Sequence, residues 1–533
     1  MVAVPRCARW IVSRLWAVDS SWLSCDDFVP MKFYVTTPIY YVNDRPHIGH
    51  VYTTTIADIV ARFHRFCGDE VFFLTGTDEH AAKVVDSAAE HGVTAQQWAD
   101  ENARAFQEAF AKLGISNDDF VRTSQERHKT KVQQYVGELL KTGDVYLGDY
   151  EGWYDAGQEE YLPESKAKEY EFKSPYNGKP LVRKKEKNYF FRLSAYGDAL
   201  LKLLEERPDF VRPDVRRNEV SNRIREGLND VPISRTGAGE WGIRVPGDPE
   251  HTIYVWIDAL FNYLSTVDTD ERWRFWPADV HLIAKDILWF HAVIWPAMLM
   301  ALKRDLPRQV YAHSFWISEG QKMSKSLGNF IDLEKIDRYV ANFGLDALRY
   351  FLGRYGPLGI NDSDFAEARF NEVYNAELAD KLGNLVNRTL TMIQRYRSGL
   401  VPEPYDKALK AEAERTVKTY GDGMNRLEFV AALEGLWEFV VRSNQYVEES
   451  APWKLAKDAA HGRQLDGVLY NLAESVRLIS VLVAPFMPTI AGQIRAQLGA
   501  ADRMDLLDVE TSWGRLSPGT KIGQVAPLFP KRP

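Results

Sequence analysis

One junction constrains this chain's fold more than any other. Lys32-Phe33-Tyr34-Val35-Thr36-Thr37 has the β-branched and aromatic composition of a buried strand. After it, Ile48, Val51, Tyr52, Ile56, Ile59, Val60, Phe63 and Phe66 recur at helical spacing up to Gly68. A strand feeding such a helix opens an alternating α/β fold, and the helix begins with His47-Ile48-Gly49-His50. The two histidines, three residues apart, share one face of the first turn. Unpaired backbone N–H groups and the positive end of the helix dipole gather there, which suits a phosphate. Gly49 lets a flat group such as a purine approach the backbone. Taken alone, the tetrapeptide reads better as an ordinary helix start with solvated histidines.

The alternation continues to about residue 142. Val71-Phe72-Phe73-Leu74 predicts a second buried strand, ending in Thr75-Gly76-Thr77-Asp78-Glu79-His80. Polar residues crowding the end of a parallel strand mark the ligand edge of a doubly wound sheet, and a solvated loop with a helix cap is equally consistent. Helices over 95–113 and 126–140 cover the sheet faces. Between 143 and 250 the pattern loosens into short strands and turns, an inserted domain. Its basic run Arg183-Lys184-Lys185-Glu186-Lys187 reads as a solvated hairpin, with a nucleic-acid backbone contact as the alternative. Gly237-Ala238-Gly239-Glu240-Trp241-Gly242 matches the dinucleotide fingerprint formally, but no helix pattern follows and we reject it. No Walker A sequence is present, so any use of ATP requires another device.

Strand character returns over 252–258 and at Val280-His281-Leu282-Ile283-Ala284, which splits the sheet around the insertion. Next, Gly320-Gln321-Lys322-Met323-Ser324-Lys325-Ser326-Leu327-Gly328 sets two lysines three apart in a serine-rich loop bounded by glycines. Such a loop is a cationic clasp for phosphate oxygens or, more blandly, an exposed basic turn. Long amphipathic helices over 371–396, 407–422, 427–449 and 465–483 then form a bundle. The expected divisions are 31–142 and 251–318 for the halves of the sheet domain and 143–250 for the insertion. Residues 319–383 form the loop and linker, 384–515 the bundle and 516–533 a tail.

At 533 residues the chain exceeds one hydrophobic core. Hydrophobic content of 45% with 26% charged residues excludes a disordered chain. A net charge of −8 gives no global nucleic-acid signature, so RNA binding requires local patches. The longest apolar run, 478–491, is broken by Pro485 and Pro488, too short to span a membrane. Cys67 is the one cysteine outside the leader, which excludes a disulfide framework and a cysteine-based zinc site and fits a cytoplasmic setting. Residues 1–30 carry Trp10, Trp16 and Trp22 without periodicity. We read them as a mis-started leader, with Met31 as the functional beginning.

A histidine pair opening the first helix, a lysine loop after a split α/β domain and a helical bundle together resemble the class I aminoacyl-tRNA synthetases. Their HIGH and KMSKS signatures stand unaltered as His47-Ile48-Gly49-His50 and Lys322-Met323-Ser324-Lys325-Ser326. Within that class the chain is similar to the methionyl-tRNA synthetases from Met31 onward. The similarity rests on Thr37-Pro38-Ile39-Tyr40-Tyr41-Val42-Asn43, Thr75-Gly76-Thr77-Asp78-Glu79-His80 and Tyr254-Val255-Trp256-Ile257-Asp258-Ala259. Lys285-Asp286-Ile287, Phe290-His291 and Ala451-Pro452-Trp453 add to it. The resemblance implies a split Rossmann-like, doubly wound parallel sheet with an inserted connective domain, then an all-α anticodon-binding bundle.

The resemblance also implies the chemistry. Methionine would be activated by ATP to methionyl-adenylate and passed to the terminal adenosine of initiator and elongator methionine tRNAs. The methionine pocket would comprise Ile39, Tyr41, Asp78, Trp256, Ala259, Leu260, Tyr263, Ile287 and His291. Asp78 would hold the ammonium, Trp256 and Tyr263 would wall a thioether, and Tyr41 and His291 would supply polar contacts. His47 and His50 would meet the ATP phosphates, with Gly49 beneath the adenine. Met323, Ser324 and Ser326 would contribute to binding ATP, while Lys322 and Lys325 neutralise the departing pyrophosphate alongside Mg²⁺. Asn387 and Trp453 would read the CAU anticodon.

The chain departs from the family pattern at several points. Where many relatives carry paired cysteines in a zinc knuckle, it has Asp155, Gln158 and Ser174, a poor donor set. We expect no zinc. Ala81 and Ala284 replace usual glycines, and Thr391 stands where some relatives place an anticodon-reading arginine. The chain reaches Phe529-Pro530 without the appended dimerising RNA-binding domain found in some relatives, so a monomer is the expectation. Synthetases for branched-chain amino acids would need a longer editing insertion, and one for cysteine a thiolate-bound zinc. A non-catalytic tRNA-binding relative would not need both motifs intact, and a plain nucleotidyltransferase would not need the bundle.

Overall fold

The computed structural model describes residues 30–155, 160–162, 164–236, 241–324, 327–500 and 504–532. Strand β1 (Lys32–Tyr41) runs into α1 (Ile48–Phe66) and then β2 (Glu70–Asp78), as the sequence pattern predicts. Helices α2 (Ala95–Lys112) and α3 (Glu126–Thr142) flank β3 (Asp119–Arg122). The insertion opens with the antiparallel strands β4 (Val145–Asp155), β5 (Glu160–Leu162) and β6 (Val182–Phe191). After β7 (Val211–Arg212) it closes with β8 (Val231–Pro232), β9 (Ser234–Thr236), β10 (Arg244–Val245) and β11 (Asp248–Ile253). Strands β12 (Val280–Ala284) and β13 (Gln309–His313) complete the main sheet. Its order is β3-β2-β1-β12-β13-β7, with every pairing parallel. Because β1 has β2 on one side and β12 on the other, the strand order reverses there. In such a sheet the crevice beyond the strands' carboxyl ends receives the ligand.

Two sequence expectations need correction. The predicted strand over 252–258 ends at Ile253, and α4 (Val255–Leu260) follows. β11 belongs to a small antiparallel sheet with β9 and β10, so the main sheet resumes only at β12. The cause is tertiary: Asp258 is drawn into a buried position between His80 and His128, overriding the strand-like composition of Tyr254-Val255-Trp256-Ile257. The span 143–250 is also not confined to the insertion, since β7 inside it pairs with β13 as an edge of the main sheet. Residues 1–29, Gln158 and the rejected glycine fingerprint at 237–240 lie outside the described residues.

Around the expected knuckle positions, Leu162, Ala167 and Leu181 form a small core with Trp153, Tyr170 and Phe172 packed on it. Ser174 Oγ accepts the backbone N–H groups of Tyr176 and Asn177, each at 3.3 Å, and so closes the turn. Among the described residues no group of three or more His, Cys, Asp or Glu is placed to hold a metal ion. The oxygen-based set here does not suit structural zinc. No helix among the described residues is long and apolar enough to cross a membrane.

The bundle is built from α6 (Asn384–Arg397), α7 (Lys410–Asn425), α8 (Phe429–Ser450), α9 (Gly462–Val483) and α10 (Pro488–Leu498). It shares one hydrophobic core with α1, through α5 (Leu345–Tyr355) lying between them. At that joint the Arg349 guanidinium meets the fully buried Asp58 of α1 at 2.6 Å. Arg349 also donates to the carbonyls of Phe486 and Pro485 at 3.0 and 3.2 Å. Burial alone would raise the Asp58 carboxyl, but Arg349, Arg62 and the Ser116 hydrogen bond hold it below the usual range. Breaking a buried pair from one side strands the other charge. Arg349→Ala is therefore expected to cost about 3–5 kcal/mol of stability, read as a drop in the urea unfolding midpoint.

Candidate active site

His47 caps α1 from an extended backbone, and its Nδ1 accepts the Gly49 N–H at 3.1 Å. His50 reciprocates, its Nδ1 accepting the His47 N–H at 3.3 Å, and the rings stack with centroids 3.9 Å apart. The Ile48 N–H donates to the Ile331 carbonyl at 3.0 Å. These N–H groups of the helix start are thus already bonded, which corrects the expectation that they are left for a phosphate. The imidazoles replace them: a neutral ring that accepts at Nδ1 carries its proton at Nε2, so both histidines offer an N–H donor. Gly49 serves this cap, because a Cβ there would stand 2.9 Å from Cε1 of His47.

The lysine loop returns to the same helix start. His47 bridges Asp332, and the Phe330 ring meets the His47 ring edge-on at 5.3 Å. Asn329 pins the loop from within. Its Oδ1 accepts the Ser324 N–H at 2.8 Å, and its Nδ2 donates to the Ser318 and Lys322 carbonyls, both at 3.2 Å. Lys322 is exposed and Met323 packs half-buried against the core. Lys325 and Ser326 lie outside the described residues.

Across the sheet's carboxyl edge, Tyr41 at the end of β1 registers opposite buried Asp78 at the end of β2. Ile39 lies two residues back on β1. The Trp256 ring meets Tyr41 edge-on at 5.9 Å and stacks on Phe290 at 4.0 Å. Ala259, Leu260 and Tyr263 follow Trp256 and are buried. The Tyr263 hydroxyl and His291 Nε2 lie 2.7 Å apart, and His291 Nδ1 lies 3.0 Å from the Ile287 carbonyl. Only one assignment satisfies both contacts: Nδ1–H donates to the carbonyl and Nε2 accepts from tyrosine. Burial pushes His291 down to about 4, which keeps it neutral.

This arrangement coincides with a known family. The chain matches the model for class I tRNA synthetases (M) over residues 33–175 and 168–390. It matches the anticodon-binding domain of methionyl-tRNA ligase over 398–532. The chain belongs to the methionyl-tRNA synthetases. A methionine–tRNA ligase of Bacillus subtilis is 44% identical over 522 residues, 94% of this chain and 78% of the relative. That of Halalkalibacterium halodurans is 44% identical over 521 residues, with the same shares covered. The Mycobacterium tuberculosis methionyl-tRNA synthetase in complex with methionyl-adenylate superposes with a TM-score of 0.88 at 38% identity. That match covers 94% of this chain and 100% of the solved one.

Sequence reasoning missed the residues that brace this synthetase site. Asp258 Oδ2 meets His80 Nδ1 at 2.6 Å and its Oδ1 meets His128 Nε2 at 2.8 Å. Burial would raise this carboxyl, but the neighbouring His80 and His128 outweigh it and hold it at about 2. The network ties the end of β2 to α4, and so ties Asp78 to Trp256. Buried Glu79 clasps Arg122 through both carboxylate oxygens, at 2.7 and 3.0 Å. The available signal was an acid, Asp258, inside the apolar run Tyr254–Leu260. At the bundle's end Asn387 is exposed on α6 and Trp453 is 37% exposed at the start of Pro452–Leu455. Next to Asn387, Arg388 pairs with Glu448 of α8 at 2.6 Å, and α8 leads directly to Trp453.

Two outcomes follow from the buried rings. Gly49→Ala displaces the His47 ring and is expected to slow adenylate formation about 100-fold in single-turnover assays. Burial holds His50 and His281 well below the ordinary histidine value, and His291 and His313 at about 4. In the unfolded chain each binds a proton near pH 6.5, so below that pH the unfolded state carries more protons. Stability is therefore expected to fall as pH drops from about 6.5 towards about 4, seen as a falling Tm in calorimetry.

Proposed function

We propose that this chain activates methionine in the crevice between β1, β2 and α4 and charges methionine tRNA. Ile39, Tyr41, Asp78, Trp256, Ala259, Leu260, Tyr263, Ile287 and His291 would hold the amino acid. The observation that carries the reading is the convergence of His47, His50 and the Lys322 loop on one helix start, made by the Ile48–Ile331 hydrogen bond and the His47–Phe330 contact. The methionine carboxylate attacks the α-phosphate of ATP, the bond to the β-phosphate breaks, and pyrophosphate departs. His47 and His50 donate Nε2–H to phosphate oxygens, and Gly49 lies beneath the adenine. Lys322 and Lys325 neutralise the departing pyrophosphate, with Met323, Ser324 and Ser326 closing over it. Mg²⁺ bound with ATP would supply further charge neutralisation beside these lysines. A hydroxyl of the tRNA's terminal adenosine then attacks the adenylate carbonyl, AMP leaves with the bonding pair, and the hydroxyl proton is released.

In this reading the protein contributes positioning and fixed charge rather than a covalent intermediate. Asn387 and Trp453 read the anticodon, Trp453 by stacking an unpaired base. The proposal takes the chain to work as a monomer in the cytoplasm. The insertion is supported by its small apolar core and the Ser174 turn rather than by zinc.

The deciding experiment is amino-acid-dependent ATP–pyrophosphate exchange across all twenty amino acids, after chelator treatment with Mg²⁺ restored. Exchange with methionine alone, undiminished by the chelator, is expected. Rescue by zinc would overturn the metal-free insertion, and exchange with another amino acid would overturn the pocket. Lys322→Ala is expected to lower kcat for exchange about 10²–10³-fold while the methionine KM stays within twofold.

A further inference from the structure

Where α5 meets the bundle there is a cavity of about 420 Å³, lined by Arg354, Lys381 and, on α8, Glu434, Trp437, Glu438 and Arg442. Trp437 is 3% exposed, and its indole N–H is buried with no hydrogen-bond partner among the described residues. The Arg354 side chain is 12% exposed. Its Nε donates to the Tyr355 hydroxyl at 3.2 Å and pairs with Glu377 at 3.3 Å, while its Nη1 is buried without an acceptor among the described residues. The guanidinium lies 5.3 Å from the Trp437 ring centroid. Lys381 is half-buried, as is Arg442, which meets Glu449 at 2.9 Å and Glu412 at 3.9 Å. Glu434 and Glu438 stand exposed. The cavity thus has donors at its floor and acids at its mouth. Neither methionine, ATP nor the anticodon contacts assigned above account for these residues.

We infer that this cavity takes a backbone phosphate of the tRNA stem that leads away from the anticodon. Trp437, Arg354 and Lys381 donate to its oxygens, and Glu434 and Glu438 accept from ribose hydroxyls beside it. Buried donors without acceptors are costly in a folded chain, and a ligand that supplies the acceptors removes that cost. A phosphate offers several oxygens at once, and its charge strengthens each hydrogen bond. Carboxylates at the mouth repel a free anion but suit RNA, which presents 2′-hydroxyl donors next to its phosphates. Position adds a second argument. Glu434, Glu438, Val441, Gln445 and Glu448 follow at three- and four-residue spacing and share one face of α8. At the far end of that face Glu448 pairs with Arg388, the neighbour of Asn387, and α8 then leads to Trp453. Lys381 lies on the π-helical turn Tyr374–Gly383, which runs into α6, the helix of Asn387, without a break. At roughly 1.5 Å per residue, Trp437 lies about 20 Å along α8 from its end at Ser450. That span suits a stem rather than the anticodon triplet itself. The inference rests on Asn387 and Trp453 facing the anticodon.

The test removes one donor at a time from the full chain. Lys381→Ala takes away the ammonium, and Trp437→Phe takes away the indole N–H while keeping a ring to stack on Tyr350, 4.6 Å away. Both are expected to weaken binding of methionine tRNA about 10-fold. Methionine-dependent ATP–pyrophosphate exchange, which needs no tRNA, is expected to stay within twofold. The slope of affinity against salt is expected to fall by about one in Lys381→Ala and to stay unchanged in Trp437→Phe. Ethylating the tRNA phosphates one at a time is expected to reveal a stem phosphate whose ethylation blocks binding to the wild-type chain, and that interference is expected to disappear in Lys381→Ala. Unchanged affinity in both variants, an unaltered salt slope in Lys381→Ala, exchange falling in parallel with binding, or interference confined to the anticodon loop would each overturn the inference. Trp453→Ala distinguishes the underlying reading. Weakened tRNA binding there with normal binding in the Lys381 variant sinks only the phosphate site, whereas unchanged binding in Trp453→Ala sinks the anticodon assignment itself.

Discussion

The joint between the two halves of the molecule depends on one buried ion pair. Asp58 leaves the middle of α1, the helix that begins with the histidine pair, and meets Arg349 of α5 at 2.6 Å with nearly full burial on both sides. An isolated pair of this kind is costly to bury. Here the remaining valences are used: Ser116 donates to Asp58 through both its N–H and hydroxyl, and Arg349 reaches the Pro485 and Phe486 carbonyls at the end of α9. Asp346, one turn earlier on α5, accepts the Ile490 N–H at the start of α10. The helix that begins with the histidine pair is therefore held in a fixed relation to the anticodon bundle by these buried contacts.

The histidine pair shows how one set of atoms meets two demands. A helix start must satisfy its N–H groups, and the usual solution is a serine, threonine or aspartate cap. Imidazole does the same through Nδ1 and still keeps a second nitrogen, with its proton, for a ligand. Aspartate could cap but would repel a phosphate. Burial and the neighbouring His47 lower the His50 pKa, so the His50 ring acts as a neutral dipolar donor stacked on His47, and lysine side chains are left to carry formal positive charge.

The insertion and the pocket each show a turn or a helix fixed by buried contacts. A metal-bound knuckle fixes its turns through thiolates that also accept backbone N–H groups. Ser174 accepts such groups with an oxygen, and Trp153, Phe172 and Leu162 provide the cohesion. At the crevice, α4 carries Trp256, Ala259 and Leu260, three of the residues proposed to hold methionine, and it is anchored by Asp258 between two histidines rather than by a cap of its own.

Much of this was legible in the chain itself. Periodicity placed β1, α1, β2 and the bundle helices, because each has a dry face whose spacing is set by local geometry. His47, His50 and Lys322 stood out because short, chemically unusual runs at element boundaries leave few structural readings. What the sequence did not disclose was pairing at a distance. Val255–Asp258 has strand composition and folds as a helix because His80 and His128, far away in the chain, capture Asp258. β7 sits inside the insertion by sequence and in the main sheet by pairing. The N–H groups of α1 looked available until the rings three residues apart were seen to cap them. Local propensity and motif chemistry are properties of a few neighbouring residues and were determined by the sequence. Which buried charge finds which partner is settled only when desolvation and packing act on the whole chain, and that was decided by the tertiary structure.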